Sequence, residues 1–132
     1  MPVSEAEVRA IFRHMETGNR AGFLACVHDD VDWTVMGTHP LAGHYTSKAA
    51  FVAATYERLK RLLIGDSLMT ITGVLMAGET AIVEMQGRAT AKNVDAYNNV
   101  FCWICTFRDG KIAKVRAYLD SALVQRLIDR NE

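Results

Sequence analysis

Residues 97–119 read YNNVFCWICTFRDGKIAKVRAYL, two apolar runs on either side of Asp109-Gly110. An Asp-Gly pair between alternating residues is a strong short-range hairpin signal, and both flanks keep the two-residue period of a strand. In the first run Asn99, Phe101, Trp103, Cys105 and Phe107 share one face, and Val100, Cys102, Ile104 and Thr106 share the other. In the second run Ala113, Val115, Ala117 and Leu119 form the matching inward set. Two further turns, at Gly78-Glu79 and near Lys92-Asn93, divide the preceding chain in the same way. Residues 66–77, 80–91, 97–108 and 111–119 are therefore predicted to form a meander of four long antiparallel strands.

Upstream the period changes. Ser4 and Glu7 have capping-box spacing, and Val8, Ile11, Phe12 and Met15 follow at helical intervals until Gly18, which predicts a helix over 4–17. Asn19 caps a second, short helix carrying Phe23, Leu24 and Val27, which ends at Asp29-Asp30. A strand starts at Val31 with Trp33 and Val35 on one side, and residues 37–43 form a loop. Ser47 caps a long third helix whose stripe of Phe51, Ala54, Tyr56, Leu59, Leu62 and Leu63 runs to Gly65. Asp120 precedes a closing helix from Ser121. Helices segregated from an antiparallel meander define an α+β fold in one domain over 1–132, a curved antiparallel sheet wrapped around helices with a pocket at one end.

Fifteen Lys plus Arg balance fifteen Asp plus Glu. A net charge of zero removes the electrostatic term behind nucleic-acid binding and the polybasic route to anionic membranes, so neither is an expected partner. No apolar run approaches the roughly 20 residues of a membrane span, and the first residues carry acids where a signal peptide needs bases; a cytoplasmic location is expected. Cys26, Cys102 and Cys105 are odd in number and read as free thiols. On a strand Cys102 and Cys105 point to opposite faces, which disfavours both a redox pair and a zinc pair. No phosphate loop, nucleophile elbow or dinucleotide fingerprint is present, and neither metal nor cofactor is expected.

The chain resembles a known superfamily through Trp33-Thr34-Val35-Met36-Gly37, His39-Pro40-Leu41-Ala42-Gly43, Asn98-Asn99, Asp109-Gly110-Lys111-Ile112 and Arg116-Ala117-Tyr118-Leu119-Asp120. It is similar to the nuclear transport factor 2-like superfamily, in its SnoaL-like, ketosteroid-isomerase-related branch. The resemblance implies a cone-shaped, cystatin-like α+β barrel, often dimeric through the outer sheet face, with a mostly apolar cavity that holds an acid or base in the enzymes. Trp103 falls close to the isomerases' proton donor, Ala117 stands where the cyclases carry an aspartate, and Val35 or Thr34 occupies the region of the general base.

Against that background Glu84 is the remaining carboxylate candidate. If Glu84, Gln86 and Arg88 face inward, Glu84 is a general acid or base in an apolar cup and Arg88 a ligand contact; if Ala81, Val83 and Met85 face inward instead, the three form a solvated stripe. His39 either relays a proton at the cavity mouth or bonds backbone within its turn. Asn99 either contacts a ligand carbonyl or satisfies backbone at a strand start, and Tyr97 orients a ligand. Trp33, Phe101 and Trp103 supply apolar walls. Two functions follow from these residues: a cofactor-independent isomerase, cyclase or lyase acting on a small apolar or aromatic molecule, or a non-catalytic ligand-holding or dimerising module. The apolar second face of the strands, with Val83, Met85, Val100, Cys102 and Ile104, predicts a homodimer.

Overall fold

Four of the five helix starts are fixed by a side chain. The Ser4 hydroxyl accepts the Glu7 N–H and the Glu7 carboxylate accepts the Ser4 N–H, both at 3.1 Å. Asn19, Ser47 and Asp120 cap the later helices through Gly22, Ala50 and Leu123. The computed structural model describes residues 2–132. Its helices are α1 (Glu5–Glu16), α2 (Arg20–Ala25), α3 (Lys48–Ala54), α4 (Tyr56–Lys60) and α5 (Ser121–Asn131). The strands are β1 (Val27–Val35), β2 (Gly43–Tyr45), β3 (Leu63–Ala77), β4 (Thr80–Ala91), β5 (Val100–Arg108) and β6 (Lys111–Leu119).

All six strands form one sheet in the order β2-β1-β6-β5-β4-β3. The meander β3 to β6 is antiparallel as expected, but β1 runs parallel to β6, with Trp33 beside Val115 and Val35 beside Ala117. The expected loop 37–43 ends in the short strand β2, which covers part of the β1 edge. β1 also begins earlier than Val31: Lys48 donates to the carbonyls of Leu24 and Val27 at 2.9 and 3.1 Å, and Asp30 pairs with Arg108. Those contacts hold residues 27–30 extended although they carry acids.

The long third helix is two short ones. Thr55 ends α3 by donating its hydroxyl to the Phe51 carbonyl at 2.7 Å. Leu62 and Leu63, spaced as a helical stripe, leave the helix, and Leu63 opens β3. Gly65 does not stop a helix; at φ +68° it lies in a register shift of β3 between Ile64 and Leu68. Such a bulge bends the strand and re-aims its side chains.

Parity in β5 is as expected, with Trp103, Cys105 and Phe107 buried beneath the sheet. In β6 a bulge opposite Thr106-Phe107 adds Ala113 to the strand, so Ile112 joins Val115 and Ala117 inside while Ala113 is only half-buried. In β4 Ala81, Val83 and Met85 face inward, and Glu84, Gln86 and Arg88 face out. Inward placement of Glu84 is thereby corrected: the inner face packs on α1 and the aromatic core, where an unpaired carboxylate carries a heavy desolvation cost. The core lies between this face and Val8, Ile11, Phe12, Met15 and Phe23. A second cluster, with Leu62, Tyr97, Val124 and Leu127, sits under α5.

Asn99 joins the two. Its Oδ1 accepts the N–H groups of Val100 and Asp120 at 2.7 and 2.9 Å, and its Nδ2 donates to the Tyr97 hydroxyl and the Asp120 carbonyl at 3.2 and 3.3 Å. At 1% exposure it has no capacity left for a ligand, which corrects its assignment as a ligand contact. Asn99→Ala removes the acceptor of two part-buried N–H groups and the rest of a buried four-bond junction, and is expected to lower unfolding free energy by about 1–3 kcal/mol, measured by urea denaturation; a loss within experimental error contradicts the structural role.

Candidate functional site

The sheet curves further than the helices can fill. A cavity of about 340 Å³ remains at one end, bounded by the inner sheet face, the end of α1, the start of α2, α3, α4 and the β3 bulge. That volume lies near the lower end of small-molecule sites. Its floor is aromatic: Trp33 stacks on Phe51 at 3.9 Å between ring centres, and Trp103 meets Trp33 edge-on at 5.1 Å and Phe101 at 6.2 Å. Met15, Leu59, Met69 and Leu119 add aliphatic wall.

Polar side chains gather toward α1, α2, α4 and the bulge: His14, Arg20, Tyr56, Lys60, Asp66 and Ser67. The orientation of the His14 ring is determined by its neighbour. The Asn19 carbonyl oxygen is occupied by the Gly22 N–H at 3.0 Å, so it is the Asn19 amide nitrogen that lies 3.2 Å from His14 Nδ1. Nδ1 therefore accepts, and the neutral imidazole carries its proton on Nε2. Arg20 places its guanidinium carbon 4.5 Å from the Tyr56 ring centre, a cation–π contact. The Tyr56 ring is half-buried, but its hydroxyl and the Trp103 indole nitrogen are enclosed and find no partner among the described residues. Burial drives the Tyr56 phenol far above its ordinary ionisation, against a weaker pull from Arg20. It raises Tyr97 and Tyr45 in the same way, and at Cys105 it keeps the thiol protonated.

Of the residues singled out from sequence, Trp33, Phe101, Trp103 and Tyr97 line the cavity. Glu84 and Arg88 lie on the opposite, exposed face. His39 is buried and occupied on both ring nitrogens: Nδ1 accepts the Leu41 N–H at 3.2 Å and Nε2 donates to the Met36 carbonyl at 3.0 Å. It organises its turn and is absent from the cavity wall, so the relay role is corrected. His14, Arg20, Tyr56 and Asp66 were not foreseen as site residues. The available signal was His14 itself, a polar residue three positions after Ile11 and hence within the core-facing stripe of α1.

Residues 8–115 match the SnoaL-like domain family. The chain belongs to that family. This SnoaL-like protein is 25% identical over 134 residues to the dimerizing cyclase phiC of a fungal species, a match covering 98% of the chain and 59% of the relative. The chain thus spans little more than half that relative's length. Among solved structures, a nuclear transport factor 2-like protein of Burkholderia thailandensis superposes with a TM-score of 0.79 at 21% identity, covering 93% of this chain and 95% of that one. TerC, co-crystallised with polyporic acid, superposes with a TM-score of 0.75 at 20% identity, covering 94% and 96%. These likenesses establish the cone-shaped α+β fold.

The buried phenols set an alkaline limit. Tyr56 ionises more readily unfolded, near its ordinary 10.0, than folded. A raised native value means stability is retained below that pH and falls as pH rises through and beyond it. Thermal unfolding followed from pH 8 upward is expected to show a flat melting temperature up to about pH 10 and a decline above; Tyr56→Phe should soften that decline, and an unchanged slope contradicts the assignment.

Proposed function

We propose that this SnoaL-like protein binds a small, mainly apolar carbonyl compound in the cavity and promotes its isomerisation or ring closure without a cofactor. The reading rests on one observation: an imidazole whose proton is assigned to Nε2 by Asn19, at the wall of a cavity otherwise floored by aromatic rings. Donation from Nε2–H to a ligand carbonyl stabilises the negative charge that develops on that oxygen when an adjacent C–H proton leaves. Asp66, on the cavity rim, is the carboxylate in reach of the mouth and takes that proton. Return of the proton to a different carbon gives an isomer; attack of the enolate carbon on a second carbonyl of the same ligand closes a ring, the C=O π bond breaking and the resulting alkoxide taking back the proton held by Asp66. The cyclase name of the fungal relative supports the second outcome.

Holding without turnover is the competing reading. It is favoured by the lining itself, whose buried members include no carboxylate, Asp66 being exposed. The chain's two tryptophans, Trp33 and Trp103, both line the cavity, so intrinsic fluorescence reports occupancy directly. With 2-tetralone as probe, quenching is expected together with protein-dependent deuterium incorporation beside the carbonyl in heavy water, followed by NMR. His14→Asn should keep the quenching and lose roughly tenfold or more of the exchange. Quenching without exchange in the unaltered protein supports holding alone; exchange unaffected by His14→Asn removes the assigned donor; no quenching removes both readings.

A second copy of the chain is the partner we propose for the outer sheet face. Leu75, Ile82 and Ile104 form one apolar row across β3, β4 and β5, with Val100 and Tyr118 exposed beside it. The face is smaller than its sequence suggested, because Val83 and Met85 point inward. Sedimentation at micromolar concentration should give a dimer, and Ile104→Glu a monomer with the same circular dichroism. A monomeric unaltered chain contradicts the assignment.

A further inference from the structure

The cavity mouth is electrostatically lopsided in a chain whose formal charge is zero. Arg20 and Lys60 both line it, against one carboxylate, Asp66. Among the described residues neither cation has an acidic partner within 4.0 Å, and Asp66 has no basic one, although five ion pairs of Arg or Lys form elsewhere on the molecule. Arg20 is held in place without being neutralised: its guanidinium lies over the Tyr56 ring, a contact that leaves its edge donors available. His14 brings an N–H donor to the same wall. The deeper surface is formed by the rings of Trp33, Phe51, Phe101 and Trp103.

We infer that the ligand is an amphipathic anion, an aromatic or alicyclic body carrying one carboxylate or similarly acidic oxygen. The body occupies the aromatic floor, and the anionic end lies at the mouth against Arg20, with Lys60 adding long-range attraction. The chemistry follows from complementarity. A guanidinium accepts a carboxylate through two parallel N–H donors, whereas a neutral alcohol satisfies one donor and leaves the charge uncompensated. A cationic ligand meets Arg20 and Lys60 with repulsion. This inference rests on the cavity being a ligand site, and it is independent of whether His14 moves a proton.

Three ligands with a common ring system separate the possibilities: 2-naphthoate, 2-naphthalenemethanol and 2-naphthylmethylammonium, titrated calorimetrically into the full chain at low and moderate salt. The carboxylate is expected to bind about tenfold or more tightly than the alcohol, with the ammonium weakest and the carboxylate's advantage shrinking as salt rises. Arg20→Gln should remove most of that advantage and leave the alcohol's affinity nearly unchanged. Arg20→Lys should retain part of it, and Lys60→Gln, which does not touch the Tyr56 ring contact, should lower it by a smaller factor. Equal affinities for the carboxylate and the alcohol, or tightest binding of the ammonium, overturn the anion assignment and leave the cavity reading intact. Failure of all three to bind overturns the cavity reading itself.

Discussion

The indole of Trp103 is the contact on which the architecture turns. Its ring meets Phe12 of α1, Phe23 of α2, Trp33 of β1 and Phe101 of its own strand, at centroid distances between 5.1 and 6.2 Å. One side chain thus ties the two N-terminal helices and the parallel strand to the middle of the meander. Edge-on and tilted arrangements favour such clusters electrostatically, and the area they bury is large. Rigid rings fill the centre and leave the open end unfilled, so the cavity is a direct result of how the core is packed.

Two kinds of surface meet at that open end. The aromatic floor has little directional demand, whereas the wall built from α1, α2, α4 and the β3 bulge is rich in donors. The register shift of β3 at Gly65 and the break at Thr55 both interrupt regular backbone, and both serve the wall: one turns residues 65–67 toward the mouth, the other lets Tyr56 and Lys60 approach it from a new angle. Irregular backbone is thus concentrated where polar groups must converge.

How much of this could be read from the sequence depended on the range of the signal. Capping at Ser4, Asn19, Ser47 and Asp120 is local, and each was legible. The inward set of β5 followed from period alone because Phe101, Trp103 and Phe107 leave no doubt about the apolar face. Glu84 was ambiguous because both faces of β4 carry apolar residues; only the neighbours contributed by β3 and β5 settle it. Leu59, Leu62 and Leu63 fitted a helical stripe, and it is the pairing of Leu63 and Ile64 with β4 that starts the strand earlier. His39 and His14 show the same lesson in opposite senses. His39 stood out in a loop, yet its ring nitrogens are consumed by backbone; His14 was hidden inside a helix pattern, yet faces the hollow. A side chain's role depends on its partners, and those are assigned by the fold.

The parallel pairing of β1 with β6 joins residues roughly eighty positions apart in the chain. During synthesis or refolding the first strand must therefore wait, unpaired on that edge, until nearly everything after it exists. Hairpins from β3 through β6 can close early and cheaply, whereas docking the N-terminal third carries a large loop-closure cost. Trp33, Phe51 and the helices that roof the hollow arrive with that late step. Partly folded chains therefore offer no recess to a small molecule, and any ligand that binds there acts as a selective brake on global opening.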